Sequence, residues 1–462
     1  MSAALQPVVI GAGPAGIRAA QTLLRYGLRP VVVDEAPLFG GQIYRQPPAH
    51  FQRSKATLYG LDTARARDVH AAMRAMLSDI DYRGQTLVWN AEGGKLDLLH
   101  QEQTSTLAYS HLIVATGATD RVLPFAGWTT PGVFTLGGAQ VALKYQGCAI
   151  GSRVAFLGTG PLLYLTAWQY AKAGAQVAAV LDTATFGQQL AALPALMADP
   201  GLLARGLYLV AWLRAHGVAL HRGVRPLQVM GESRVRALRW SQAGTEHELE
   251  CDAVGFGYGL QSETQLADIL GCRFGFNALQ RAWLPECDAA GRTSVAGVYL
   301  AGDGAAILGA DAAEWAGERA ALALLADTGR ALGPQARGAT LERQLARKQR
   351  FRAGLERAFP FPAQWAAQAP DDLLVCRCEE VSAGELRRTS RENGATELNR
   401  LKALTRVGMG RCQGRVCAAA AGEILAHCSA QPVQAVGRLR GQPPIKPIPF
   451  RLTHVLTSQE AP

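Results

Sequence analysis

The residues best suited to chemistry are four cysteines near the end of the chain. Cys376 and Cys378 stand in CRCEEV, and Cys412 and Cys417 stand in GMGRCQGRVC, giving the spacing C-x-C-x33-C-x4-C. Four thiolates suit a zinc ion or an iron–sulfur cluster. Structural zinc favours C-x2-C knuckles, and neither pair has that spacing. A C-x-C pair beside a C-x4-C pair better surrounds two sulfide-bridged irons, so a [2Fe–2S] cluster is preferred over zinc or free thiols. Such an oxidised cluster with its four thiolates carries a net charge of roughly −2. Arg377, Arg411 and Arg415 lie between or beside the ligands and would offset that charge. Gly408, Gly410 and Gly414 let backbone N–H groups approach the sulfurs, which raises the reduction potential. Cys417 precedes the helix-prone run AAAAGEILAHC, so its thiolate is expected near a positive helix end. Cys428 reads as a spectator.

A second set of residues points to a nucleotide. In GAGPAG, Gly11, Gly13 and Gly16 flank Pro14 and Ala15 at G-x-G-x-x-G spacing, directly after a strand and opening a helix. Gly11 permits the tight turn, Gly13 lets the backbone approach a pyrophosphate, and Gly16 lets helix and strand pack closely. The helix N-terminus then offers free N–H groups to the phosphates. Asp34, with Glu35 beside it, occupies the strand end where a carboxylate is expected on a ribose hydroxyl. An ordinary glycine turn is the bland alternative, and the strand–turn–helix context weighs against it. Three further segments favour FAD over NAD. LIVATGATDR places Thr116 and Gly117 at a strand end, YLAGDGA supplies Gly302 and Asp303, and GGQIYRQ brings Gly41 and Gln42 after the second strand. They resemble segments of two-dinucleotide-binding flavoproteins. In those proteins the aspartate meets the ribityl chain, and the glycine loop runs past the isoalloxazine ring.

A second fingerprint, GTGPLL, keeps Gly158 and Gly160 but has Leu163 where the third glycine belongs. That side chain is expected to push helix from strand or crowd the phosphates. Asp182 offers an acidic ribose partner shifted by one place. The lobe is therefore expected to serve architecture, or another nucleotide or flavin, in preference to NAD(P) reduction. Disulfide reductase chemistry needs two close cysteines near the flavin. Before residue 370 there are only Cys148, Cys251, Cys272 and Cys287, none closely spaced, so that chemistry is excluded.

The elements that must position these groups follow from length and pattern. A chain of 462 residues suggests about three folded units. With 48% apolar and 18% charged residues it can bury a large core. No run approaches a membrane-spanning helix, and the N-terminus lacks the pattern of a signal peptide. A cytoplasmic location is expected, with peripheral association at the inner membrane allowed. Nine cysteines without a secretory signal imply reduced thiols or ligands. The net charge of +10 selects no partner by itself.

Two look-alike β-α-β stretches, from Pro7 to Glu35 and from Arg153 to Asp182, imply two Rossmann-like lobes, the second inserted in the first. The expected α/β organisation is a FAD-binding domain from residues 1–122 and 286–330 and a second nucleotide-binding-like domain over 123–285. A basic helical linker over 331–370, a small helical [2Fe–2S] domain over 371–430 and an extended tail over 431–462 follow. The basic stretch from Arg343 to Arg357 reads as a solvated face, or as a dock for an acidic partner. Ser382 and Glu385 form a capping box, Gly394 ends that helix and Thr396 can cap the next. Two short basic helices could mimic a DNA-binding pair, but the flanking thiolates favour a cluster scaffold, so no nucleic-acid partner is expected.

DEAPLFGGQIYRQ, ATGATDR, GTGPLL and TRVGMGRCQGRVC together resemble one family along nearly the whole chain. It comprises the α-type subunits of heteromeric amine and imino-acid dehydrogenases: the A-type chain of opine oxidase, the α chain of D-hydroxyproline dehydrogenase and the B-type chain of hydrogen cyanide synthase. The C-terminal module is similar to bacterioferritin-associated-ferredoxin-like [2Fe–2S] domains. The resemblance implies FAD and a [2Fe–2S] cluster in this chain. It implies a partner β subunit of the D-amino-acid-oxidase flavoprotein type that oxidises the substrate C–N bond. A further small subunit, an FMN at the subunit interface and a quinone or respiratory acceptor are compatible with it. A self-contained NAD(P)H-dependent ferredoxin-type reductase and an iron–sulfur redox sensor are the competing readings.

Overall fold

The computed structural model describes residues 5–51, 53–330, 336–449 and 453–454. The first lobe is a five-stranded parallel sheet in the order Val298–Leu300, His111–Val114, Pro7–Ile10, Val31–Val33, Asp81–Arg83. Its inner strands are unbroken runs of buried β-branched residues, as a parallel sheet covered on both faces requires. Helix Pro14–Arg25 starts with proline in its first turn and lies against helix Ala310–Asp327. These helices touch through backbone: a Cβ on Gly317 would lie 1.9 Å from the carbonyl oxygen of Ala15. An antiparallel sheet of Leu87–Glu92, Lys95–His100 and Gln103–Ala108 flanks the lobe.

The second lobe repeats the plan inside the first. Its parallel sheet runs Ala219–Arg222, Gln176–Asp182, Arg153–Thr159, Ala253–Tyr258, Val133–Thr135. A three-stranded antiparallel sheet from Val224 to Glu250 extends it. Two short antiparallel strands, Ala118–Asp120 and Leu260–Ser262, join the lobes. Leu266, Ala267 and Cys272 already pack beneath the first sheet, so the chain crosses back near residue 260, ahead of the expected boundary at 285/286.

Helix Ala336–Ala358 follows, after residues 331–335, the part of the basic linker that lies outside the described residues. Arg343, Arg347, Arg350 and Arg357 are exposed, as a solvated face requires, while the inner side carries paired charges. Lys348 is buried between Asp199 at 2.8 Å and Asp311 at 3.2 Å, while Arg352 pairs with Glu356 and Arg319 reaches Glu342. Phe351 and Leu355 seat the helix on helix Leu193–Leu196.

The C-terminal module combines strands Leu374–Cys376 and Val381–Ser382 with helices Ala383–Glu392, Leu398–Thr405 and Ala418–Cys428. Ser382 caps its helix by accepting from Glu385 N at 3.2 Å, and Gly394 takes φ +61 just beyond the helix end. Glu397, and not Thr396, caps the next helix, its longer carboxylate accepting from Arg400 N. The module shares one continuous apolar core with the second lobe: Val375, Leu401 and Ile424 belong to the same packed cluster as Trp128, Trp240 and Phe256. Two indoles fasten the seam, Trp128 to Leu374 O and Trp365 to Pro124 O, each at 2.7 Å. The tail then crosses to the first lobe, where Ile445 N donates to Trp89 O and Lys446 pairs with Glu35. Thr453–His454 adds to the edge strand Gln103–Ala108, and the rest of the tail past position 449 lies outside the described residues.

Candidate redox centres

A cavity of about 880 Å³ opens where the lobes meet. Gly11, Gly13, Pro14, Ala15, Asp34, Glu35, Gly41, Gln42, Thr116, Gly117 and Asp303 lie on its wall, so the sequence-predicted groups of the first lobe converge. Gly11 has φ +100, and a Cβ there would sit 2.3 Å from Ala115 O, so only glycine fits that turn. Gly16 stays off the wall and serves packing, its hypothetical Cβ 1.7 Å from Gly11 O. Gly302 likewise stays off the wall and abuts Ala15. Asp303 accepts from Leu308 N and Gly309 N through Oδ1, while Oδ2 takes no hydrogen bond from the described residues. Burial pushes its carboxyl above the ordinary range.

Asp34 lies on the cavity wall where it is expected, and each of its oxygens also holds a main-chain donor. Its Oδ2 accepts from Ala12 N at 2.5 Å and its Oδ1 from Ala36 N at 2.7 Å. The carboxylate therefore ties the glycine turn to the second strand, and burial pushes its pKa up. Glu35, beside it on the cavity wall, is half-exposed and paired with Lys446. Sequence reasoning missed Lys144. It lies on the wall in a segment wound as a π-helix, Ala142–Gln146, and donates to Ile43 O at 3.2 Å. Burial lowers its pKa to about 8.

The second fingerprint folds differently in its details. Gly158, with φ +132, stays off the wall because its neighbour strand is too close: a Cβ would lie 1.8 Å from Gly257 O. Gly160 does reach the cavity. Leu163 neither pushes the helix away nor crowds the opening; it points into the lobe's core with Val154, Phe156 and Trp168. Asp182 is fully buried and fully occupied. Oδ1 accepts from Thr159 Oγ1 at 2.8 Å and Ala184 N at 2.9 Å; Oδ2 accepts from Tyr164 Oη at 2.7 Å and Gln189 Nε2 at 3.1 Å. Burial raises its pKa to about 6, and no oxygen is left for a ribose hydroxyl.

The four thiols of the C-terminal module come together as a chain of contacts, Cys376 to Cys417, Cys417 to Cys412, and Cys412 to Cys378. Among the described residues no three His, Cys, Asp or Glu side chains form a ready site for a single ion. Cys417 thus stands between Cys376 and Cys412, and Cys378 joins through Cys412. Hydrogen bonding from Cys417 holds Cys376 down to about 6 and Cys412 to about 5, with Cys417 pushed up in turn. Backbone N–H groups of Gly408, Glu379 and Cys378 aim at Cys376, and those of Val416 and Gly414 at Cys412. Such converging amides suit sulfur that carries negative charge. Gly410 lets its loop pass Cys378, whose Cβ would be 2.3 Å from a Cβ there. Cys417 occupies the N-terminal cap position of helix Ala418–Cys428, with no side-chain hydrogen bond to the helix. Of the three expected counter-charges, Arg377 lies over the Trp128 ring and Arg415 is paired with Glu263, so Arg415 adds no uncompensated charge.

Two nucleotide-type lobes, one with an open glycine cradle, and a four-thiol helical module define a flavoprotein scaffold with an iron–sulfur appendage. The chain belongs to the pyridine nucleotide-disulphide oxidoreductase family, which residues 5–323 match, and residues 374–427 match the BFD-like [2Fe-2S] binding domain. It is 36% identical over 457 residues to the A-type chain of opine oxidase from Agrobacterium tumefaciens, covering 96% of this chain and 90% of that one. It is 35% identical over 465 residues to the HcnB chain of hydrogen cyanide synthase from Pseudomonas aeruginosa, covering 96% and 97%. In fold it resembles the L-proline dehydrogenase from P. horikoshii, with a TM-score of 0.70 at 19% identity over 96% of this chain and 78% of that one. The family resemblance read from the motifs is borne out, as is the two-lobe fold with its C-terminal module. No helix of the described residues is long and apolar enough to cross a membrane.

Proposed function

We propose that the chain is the electron-transfer subunit of a heteromeric dehydrogenase whose partner oxidises the C–N bond of an amine, opine or imino acid. The observation that carries this reading is the contrast between Asp34 and Glu35, both on the cavity wall of the first lobe, and Asp182, buried and saturated by four donors. One lobe keeps a carboxylate for a dinucleotide ribose and the other has spent its own, so a nicotinamide donor has no acidic anchor. The near relatives are named as subunits of opine oxidase and hydrogen cyanide synthase, which supports a second chain. A stretch of exposed apolar side chains, Phe186, Leu190, Met197 and Leu207, suits such a contact.

In this reading Gly11 keeps the turn tight, its own N–H spent on Val33 O, so that Gly13 at the start of helix Pro14–Arg25 would bring backbone N–H groups to the FAD pyrophosphate, Glu35 would take the ribose, and Asp303 would face the ribityl chain. Cys376, Cys378, Cys412 and Cys417 hold the [2Fe–2S] cluster. When bound, FAD supplies the exchange between two-electron and one-electron chemistry. The partner is a flavoprotein of the D-amino-acid-oxidase type, with a quinone or respiratory chain as final acceptor.

The test is anaerobic mixing of the purified holoprotein with NADH and with NADPH. The expected result is no rapid bleaching of flavin absorbance by either, with bleaching restored when the partner and an amine substrate are added. Rapid bleaching by a nicotinamide on the chain alone overturns the proposal in favour of a self-contained reductase.

A further inference from the structure

Between the two centres lies a short stretch, residues 260–265, that touches both. Glu263 N donates to Gly117 O at 2.9 Å, and Thr116 Oγ1 donates to Glu263 O at 2.7 Å, so the main chain of Glu263 is stitched to the flavin-side wall. Its side chain faces the other way. Arg415, three residues after Cys412 and two before Cys417, gives it Nε at 2.5 Å and Nη2 at 3.0 Å, a bidentate pair. Both side chains are largely buried, at 15% and 10% exposure, yet both reach the cavity wall. Gln261 Nε2 adds a bond to Arg415 O at 2.6 Å, and Gln265 Nε2 one to Gln413 O at 2.5 Å. The cysteine loop is thus fastened, at Gln413 and Arg415, to residues 261–265, which are in turn bonded to Thr116 and Gly117.

We propose that the Arg415–Glu263 pair is the positioning device that holds the cluster loop against the flavin wall and sets the electron route between the two centres within one chain. The inference rests on the cofactor assignment above. Electron transfer falls steeply across gaps and far less along covalent and hydrogen-bonded stretches. Here a few backbone bonds, one two-pronged ion pair and one amide–carbonyl bond span the way from Cys412 or Cys417 to Gly117. Because Glu263 already neutralises Arg415, the arginine is better explained as a clamp than as a counter-charge to the cluster. In the step itself one electron leaves the reduced flavin and enters the oxidised cluster. No protein bond forms or breaks, and any proton released from the flavin goes to solvent.

The experiment uses the holoprotein without its partner, with iron, sulfide and flavin measured per chain. A light flash with a photoreductant reduces the flavin, and absorbance follows redistribution to the cluster. In the unaltered protein the rate is expected to be independent of protein concentration; a rate proportional to concentration means transfer between molecules and overturns the inference. Arg415→Met and Glu263→Gln are expected to slow redistribution on the order of tenfold with both cofactors retained, and Arg415→Lys to recover part of it. The comparison is Arg438→Met, which breaks another bidentate clamp on the same stretch, to Asp268, with both contacts at 2.6 Å. That variant is expected to lower Tm and leave the rate unchanged. Equal slowing in Arg438→Met, or an unchanged rate in loaded Arg415→Met, overturns the positioning role. Protein that carries flavin but no iron or sulfide overturns the cofactor assignment instead, so the two failures are distinguishable.

Discussion

The two lobes begin from nearly the same sentence, GAGPAG in one and GTGPLL in the other, and end as different objects. Both acids at the ends of the second strands accept from backbone amides, Asp34 on the cavity wall and Asp182 wholly buried. The difference lies one residue later. After Asp34 comes Glu35, which keeps a carboxylate on the cavity wall; after Asp182 comes Thr183, whose hydroxyl is buried without a partner. The two lobes thus differ in the fate of the acid's oxygens and in the residue that follows it.

The largest effect expected from breaking that contrast is at Gly11. Gly11→Ala drives a Cβ to 2.3 Å from a carbonyl oxygen at φ +100, and purified protein should lose nearly all its flavin, read as the ratio of flavin to protein absorbance. The matched change Gly160→Ala also meets positive φ, but its nearest neighbour is 3.8 Å away. It should cost about 1–2 kcal/mol of stability and keep the flavin. Next comes Glu35→Gln, which removes charge from the proposed ribose contact. Flavin should bind more weakly by about 1.5–3 kcal/mol, measured by equilibrium release of the cofactor. The smallest effect belongs to the second lobe. Tyr164→Phe takes one of four donors from buried Asp182 and should cost about 1–2 kcal/mol in urea unfolding, with flavin content unchanged.

Much of this is legible in the order of residues alone. Gly11, Gly13 and Gly16 announce the first cradle because strand, turn and helix are contiguous in sequence, and the four cysteines announce themselves by residue type. Leu163 misleads because a residue's position in a fingerprint does not say which way its side chain points. Asp182 misleads because three of its four donors come from Thr159, Tyr164 and Gln189, up to 23 residues away. Thr396 suggests itself as the cap because threonine is a better cap than glutamate, yet the turn after Gly394 places Glu397 at the helix entrance. The basic helix is solvated on its outer side, but charge counting cannot see that Lys348 on its inner side is answered by Asp199, 149 residues earlier. Arg415 and Glu263, 152 residues apart, carry no local signature at all.

The fused apolar core that runs from Trp240 and Phe256 into Val375 and Ile424 has a logistical consequence. Carrier proteins with a tethered domain deliver their load by swinging it from pickup to drop-off. Here the dock and the crane are cast in one block, so nothing in that block can travel. On the proposed function, a partner that collects the charge would berth at the outer rim, where Cys378 and Cys412 are, of the four candidate ligands, the two not sealed inside.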